Sequence, residues 1–487
     1  MKFLKDILYK CRLQEVKGST NVAIEHIASD SRLAKTFSLF IAVRGTLTDG
    51  HKFIGQALAQ GAVAIVCEKL PEEMKEGITY VQVTDSTEAL GYIASNFYGN
   101  PSDEIDVIGV TGTNGKTTTV SLLYQMFRLL NIKTGLLSTV VNKINDQEVK
   151  ATHTTPDAIS LQAMLRKMVD QGCKYCFMEA SSHAIHQNRT KGVNFKGAVF
   201  TNITHDHLDY HETFNEYIKA KKLLFDGLPS SAFVLVNNDD SHAEVIVQNT
   251  KAKVKTMGLK TMSDYRAKVL ENQFNGLHLS IDGKDLYTKL IGGFNAYNLL
   301  TIYAVSMELG QDQMDVLTNM SVLGSVEGRF QYIKSKAGIT AIVDYAHTPD
   351  ALKNVLDTIK EIRTGNETVI TVVGCGGNRD KTKRPKMARI GAELSDKLII
   401  TSDNPRDEEP EAIIQDMKAG LDPVQKSKTF SIANRKEAIR MACDIAKPGD
   451  IILIAGKGHE KYQEIKGERH PFDDMQVVAL SLNELSH

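Results

Sequence analysis

Glycine, lysine and threonine crowd into seven residues of this sequence, Gly112-Thr113-Asn114-Gly115-Lys116-Thr117-Thr118, directly after the apolar run Val107-Ile108-Gly109-Val110. Glycines let backbone N–H groups close around phosphate oxygens, and the N-terminus of the helix read over Val120 to Leu130 adds positive dipole. Lys116 then reaches the β and γ phosphates and the Thr117 hydroxyl can ligate Mg²⁺, so the segment predicts a site for ATP. A glycine turn opening an ordinary helix explains the glycines but not Lys116-Thr117-Thr118 behind them. The strict Walker spacing puts a glycine where Val110 stands, with Gly109 one position further back. The loop is therefore a variant of the motif.

Two other groups carry chemistry on their face. Glu179 closes the apolar Phe177-Met178, where a carboxylate can hold Mg²⁺ beside a triphosphate, and a charge at such a point needs a partner. Cys173-x-x-Cys176 reads either as a redox or metal pair or as thiols of a buried strand; no second pair follows, and the segment runs on into Phe177-Met178. The six cysteines are too scattered for a disulfide scaffold and are expected to be reduced.

Short Val- and Ile-rich runs alternate with amphipathic stretches, which predicts an α/β fold with mostly parallel sheets and crossover helices. Val63–Val66, Val107–Val110, Val369–Val373 and Ile451–Ala455 are such strands, and ligands belong in the glycine-bearing loops at the carboxyl ends of the last three. Between Lys251 and Leu290 the turns Asn275-Gly276 and Asp282-Gly283 predict an antiparallel hairpin appended to the central sheet. A chain of 487 residues exceeds one ordinary core. Breaks at Asn100-Pro101-Ser102-Asp103 and near Gly324 to Arg329 give three domains, 1–98, 99–328 and 329–487. There is no internal repeat or low-complexity segment.

Lys plus Arg come to 58 against 59 for Asp plus Glu, so no global charge draws the chain to nucleic acid or to an acidic membrane surface. No signal-type segment or membrane-length apolar run is present, which predicts no membrane insertion and a cytoplasmic address. A monomer acting on small molecules is expected.

With the phosphate loop in register, motifs from Asp30-Ser31-Arg32 to Gly456-Lys457-Gly458-His459-Glu460 resemble the Mur ligase family, the ATP-dependent amide-forming enzymes of peptidoglycan precursor synthesis. The resemblance covers nearly the whole chain. It implies a small N-terminal α/β domain for a uridine nucleotide, a central P-loop ATPase and a C-terminal Rossmann-like domain. The implied chemistry passes the γ-phosphoryl of ATP to the side-chain carboxylate of D-Glu in UDP-MurNAc-L-Ala-D-Glu, and an incoming amine then attacks the acyl phosphate.

Residue by residue, the resemblance makes Glu179 and His207 metal ligands, the latter in Thr204-His205-Asp206-His207, although a lone histidine is commonly structural. Lys221 in Ala220-Lys221-Lys222 maps to a lysine that is carbamylated in the family to help hold Mg²⁺, whereas paired lysines on a helix otherwise read as a solvated face. Asn295 and Asn298, in Phe294-Asn295-Ala296-Tyr297-Asn298, resemble adenine contacts, though the pattern also suits a helix cap. Arg329 and Asp344 resemble contacts to phosphate and ribose. For the uridine nucleotide and dipeptide the resemblance points to Ser31, His51, Thr154, Thr155, Ser181, Gln187 and Arg189.

Asp403-Asn404-Pro405-Arg406 resembles the signature of family members that add meso-diaminopimelate. A guanidinium binds the second carboxylate of that amino acid bidentately, while lysine would leave the cation unpaired. Arg379, Gly456 and Glu460 match further contacts to the same substrate, with Glu460 meeting the ammonium at that end; Arg384 has no assigned part. The alternatives are the same reaction with L-lysine, a ligase like folylpolyglutamate synthetase, or a nucleotide-driven switch that forms no amide.

Overall fold

The computed structural model describes residues 2–484 apart from 46, 47, 152, 205 and 207. His207, and His205 beside it, lie outside the described residues. Three large sheets occupy successive stretches of chain. The first has five strands in the spatial order Leu13–Lys17, Thr79–Val83, Ala62–Cys67, Ser38–Ile41 and His26–Ala28, all parallel but for the first.

The second sheet has eleven strands, and its parallel part explains where the phosphate loop sits. Strand Asp106–Thr111 runs between Tyr175–Glu179 and Phe195–Phe200, with Val110 opposite Glu179 and Thr111 opposite Phe200. Chain order reverses about this strand, since Thr134–Leu137 lies beyond Tyr175–Glu179 on one side and Phe195–Phe200 begins the other. A crevice therefore opens at its carboxyl end. Gly109 lies within the strand, where an added Cβ would stand 2.8 Å from the Phe195 ring, so it is a packing glycine and not part of the loop. At the far edge, Tyr265–Gln273, Gly276–Ile281 and Lys284–Thr288 form an antiparallel meander turning at the two glycine pairs read from the sequence.

The third sheet orders its strands Gln331–Lys334, Thr340–Asp344, Ile451–Ala455, Val369–Val373, Lys397–Thr401 and Thr429–Ile432, parallel after the first pair. Their carboxyl ends bring Asp344, Gly374, Asp403 and Gly456 to one edge of the sheet. These strands are continuous apolar runs because helices cover both faces: Pro349–Ile362 packs on one side with Leu352, Leu356 and Ile359, and Arg435–Ile445 on the other with Ala438, Ile439 and Ala442. Cys173 and Cys176 are buried free thiols, and burial pushes both up from the ordinary thiol range, which suits core packing. No helix among the described residues is long and apolar enough to cross a membrane.

Candidate active site

Strand Asp106–Thr111 ends in a loop that must turn tightly enough for helix Lys116–Leu129 to begin at once. Gly115 caps the helix at φ 87°, a left-handed conformation that only glycine adopts without strain, and a Cβ on Gly112 would stand 1.9 Å from Thr201 Oγ1. The Lys116 ammonium folds back to donate to the Gly112 and Thr113 carbonyls, both at 2.8 Å. A second ammonium, from Lys221 on helix Phe214–Asp226, donates to the same Gly112 carbonyl at 2.8 Å and lies 4.5 Å from the Tyr217 ring centre. Lys221 is 1% exposed. Burial first, then the Lys116 charge, holds its ammonium well below the ordinary lysine range, while burial likewise lowers Lys116.

Glu179 faces this pair from the neighbouring strand and its charge raises Lys116. Its Oε1 accepts the Thr139 N–H at 2.7 Å, whereas its Oε2 is buried with no hydrogen-bond partner among the described residues. A carboxylate oxygen in that condition is free to accept a hydrogen bond or to ligate a cation. Around it, Thr139 Oγ1 donates to Thr154 Oγ1 at 3.1 Å, Thr155 Oγ1 to the Glu179 carbonyl at 2.8 Å, and the Ser181 N–H to Thr155 Oγ1 at 3.2 Å. Arg189 donates to Gln187 Oε1 and to the Thr155 carbonyl, closing the cluster.

Segments flanking the strands of the third sheet meet the loop directly. Arg329 donates to Thr117 Oγ1 at 3.1 Å, and Asp350 Oδ2 accepts from Asn114 Nδ2 at 2.8 Å and from Thr204 Oγ1 at 3.1 Å. The Arg329 guanidinium lies 4.6 Å from the Tyr345 ring centre. Asp344 accepts the Phe330 N–H at 2.7 Å, and burial pushes its carboxyl up despite Arg329 nearby.

A second polar pocket forms where three strands of the third sheet end. Asn404 Nδ2 donates to Glu460 Oε2 at 2.8 Å, and a Cβ on Gly456 would stand 2.5 Å from Asp403 Oδ2. Arg406 adopts φ 53°, a strained conformation for a residue with a side chain, and is pinned there by N–H donation to the Glu464 carbonyl and by the Lys466 N–H donating to its own carbonyl. Its guanidinium donates to the Gly377 carbonyl at 2.8 Å and lies 3.5 Å from Glu464. Burial first, then the Asp403 charge, raises the Glu460 carboxyl, against the lowering effect of Lys457.

Three family descriptions match this chain: Mur ligase family, catalytic domain, over residues 23–98; Mur ligase middle domain, over 110–306; and Mur ligase, glutamate ligase domain, over 328–458. A protein of Cytophaga hutchinsonii named UDP-N-acetylmuramoyl-L-alanyl-D-glutamate--2,6-diaminopimelate ligase is 55% identical, covering 99% of each chain. The chain belongs to the Mur ligase family. A Bacteroides thetaiotaomicron protein of the same name is 53% identical over 99% of this chain and 100% of its own. A solved structure, also named for that ligase, superposes with a TM-score of 0.72 at 31% identity, covering 100% of this chain and 99% of its own.

Within this Mur ligase, the sequence-predicted residues fall into three groups. Lys116, Thr117, Glu179, Lys221 and Arg329 converge on the phosphate loop, with Thr154, Thr155, Ser181, Gln187 and Arg189 beside it. Asp403, Asn404, Arg406, Gly456 and Glu460 converge on the second pocket, while Arg379 is exposed, its Cγ 3.9 Å from where a Cβ on Gly376 would stand. Ser31 and His51 bond within the first sheet's unit: Ser31 Oγ donates to Gln56, and His51 bonds Asp49 through Nδ1 and accepts the Glu68 N–H at Nε2.

Asn295 and Asn298 are buried, and their amides serve the protein. Asn298 Nδ2 donates to Asn295 Oδ1 at 2.9 Å, and Asn295 Nδ2 donates to the Ile291 carbonyl. Asn298 Oδ1 lies beneath the phosphate loop, 2.9 Å from where a Cβ on Gly115 would stand.

Sequence reasoning missed several residues. Asp350, in the first turn of helix Pro349–Ile362, is unassigned from sequence, yet it docks the third sheet's unit on the loop. Arg384, unassigned from sequence, is fully buried and clamps Glu408 with two bonds of 2.8 and 2.9 Å, Asp416 at 2.8 Å and the Gly376 carbonyl. Glu408 in turn accepts the Asn378 N–H, and its carboxyl is held down at about 2, chiefly by Arg384. The clamp ties the glycine loop to the Arg406 segment.

Proposed function

We propose that this chain is an ATP-dependent ligase joining meso-2,6-diaminopimelate to the side-chain carboxylate of D-Glu in UDP-MurNAc-L-Ala-D-Glu, in peptidoglycan precursor synthesis. The observation that carries the reading is the second pocket, where the acids Asp403 and Glu460 and the guanidinium of Arg406 gather at the same strand ends. That set matches the ammonium and carboxylate at one end of diaminopimelate, whereas lysine offers only the ammonium. The identity shared with relatives named for this reaction supports the same choice.

Residues 1–98 serve the uridine nucleotide, 99–328 ATP, and 329–487 the incoming amino acid. Lys116 holds the γ-phosphoryl as a carboxylate oxygen of D-Glu bonds to its phosphorus and the bond to ADP breaks. The free amine of diaminopimelate then forms a bond to the acyl carbon and gives up a proton to solvent, and inorganic phosphate leaves with the carboxylate oxygen. Arg329 supplies a cation to the phosphates across the unit boundary.

Among the described residues no cluster of three His, Cys, Asp or Glu is poised for a metal. The orphaned Oε2 of Glu179 nevertheless suits Mg²⁺, and Thr117 would share it. Mg²⁺ would neutralise triphosphate charge there. Lys221, buried beside Lys116 and held toward its neutral amine, is set to bond CO₂ with loss of a proton, giving a carbamate that relieves the clash of two ammonium groups. Bicarbonate should raise the activity of decarbonated wild-type enzyme and leave Lys221→Ala unchanged; equal responses would remove this role.

Phosphate release measured with ATP, Mg²⁺ and the UDP-dipeptide tests the reaction class. Release that requires diaminopimelate supports a ligase, and equal release without it would mean a nucleotide-driven switch. The protein acts in the cytoplasm as a monomer.

A further inference from the structure

Lys457 is a fully buried charged side chain to which the reaction above gives no part. It sits between Gly456 and Gly458, whose φ values of 117° and 53° turn the chain sharply after strand Ile451–Ala455. A Cβ on Gly458 would stand 2.7 Å from the Tyr345 side chain, so the turn admits no bulk. The Lys457 ammonium donates to Asn404 Oδ1 at 2.8 Å and to Glu460 Oε2 at 3.0 Å, and lies 5.5 Å from the Tyr462 ring centre.

Those bonds leave the Asn404 amide a single orientation. Its oxygen accepts from Lys457 and from the Glu464 N–H at 3.0 Å, while its nitrogen donates to Glu460 Oε2. A flipped amide would set N–H groups against two donors. Glu460 Oε2 is thereby saturated by protein, while Oε1 accepts no hydrogen bond from the described residues.

We infer that Lys457 is a positioning residue for amino-acid selection: its ammonium pairs with Glu460 and fixes the Asn404 amide, so that Glu460 presents a charged, correctly turned carboxylate to an ammonium of the incoming diamino acid. This rests on the ligase reading above. Burial and the Asp403 charge both work against ionising Glu460, and Lys457 is the cation that most favours it. Arg435, itself paired with Asp474, and Tyr345 and Tyr462 also interact electrostatically with Glu460, and Arg406 and Glu464 face the same cluster beside Tyr462. Without Lys457, an ammonium-binding acid would be harder to ionise beside a second acid.

The test uses the full-length enzyme carrying Lys457→Met, with Lys457→Gln as a second variant that keeps a donor and removes the charge. KM for diaminopimelate should rise by about tenfold or more in Lys457→Met, with KM for ATP within about twofold of wild type. The acid limb of kcat/KM for diaminopimelate should move upward by roughly one pH unit in both variants, because Glu460 without its cation is harder to ionise. Should Lys457→Met fail to fold, the pH profile of Lys457→Gln decides. An unmoved acid limb, or KM values for ATP and diaminopimelate rising together, would overturn the inference. Wild-type enzyme assayed alongside separates the two claims: no diaminopimelate turnover there sinks the ligase reading, while normal turnover with unmoved variants sinks only the role of Lys457.

Discussion

The phosphate loop of the central sheet and the amino-acid pocket of the C-terminal sheet both lie at strand carboxyl ends, yet they are built from different materials. At the loop, backbone carries the site: glycine conformations, carbonyls and a helix N-terminus, with two lysines resting on one carbonyl. At the pocket, side chains carry it, with Asp403, Asn404, Arg406, Lys457 and Glu460 meeting from two segments more than fifty residues apart. Backbone groups recognise what every nucleoside triphosphate shares, while side-chain charges can be matched to one amino acid. Activity and specificity should therefore fail separately.

Lys116→Ala should test that separation with the largest effect, lowering kcat by about three orders of magnitude whichever amine is offered, because a charge on the transferring phosphoryl is lost. Amine-dependent ADP release measures it. Arg406→Ala should lower kcat/KM for diaminopimelate by about a hundredfold while KM for ATP stays near wild type, since only the second carboxylate loses its partner. An equal loss in both parameters would mean that the two sites are one. Gly456→Ala should act in the same direction but less, raising KM for diaminopimelate by about tenfold, because its new Cβ meets Asp403 Oδ2.

The smallest expected effect lies between the two sites, where His347 and His459 flank Tyr345. Burial lowers them from 6.5 to about 4 and about 3 respectively, so the unfolded chain takes up their protons first. Stability from these neutral rings is present above about 6.5 and declines as pH falls, toward about 4 for His347 and about 3 for His459. The melting-temperature gap between wild type and His459→Gln should narrow over that window; a constant gap would mean that His459 does not titrate on unfolding.

The loop was legible because its determinants are consecutive: strand, glycines, Lys116 and helix share one stretch of chain. The meander was legible for a similar reason, as Asn275-Gly276 and Asp282-Gly283 set its turns locally. Asp403 to Arg406 could be singled out as a motif, but not the left-handed Arg406, whose conformation depends on backbone bonds to Glu464 and Lys466. The sequence assigns Arg384 and Lys457 no part because Glu408 and Asp416, which hold the one, and Asn404, which the other fixes, lie far along the chain. The Asn295 and Asn298 amides match a ligand pattern, and their burial and their bond to each other are features that spacing could not show.

The central claim is that the C-terminal pocket selects diaminopimelate for a ligation driven from the phosphate loop. Wild-type enzyme given ATP, Mg²⁺ and UDP-MurNAc-L-Ala-D-Glu, with diaminopimelate and lysine in parallel, tests it by the mass of the product. The account predicts a UDP-MurNAc-tripeptide with diaminopimelate as the third residue and little or none with lysine; a lysine adduct as the main product would contradict it.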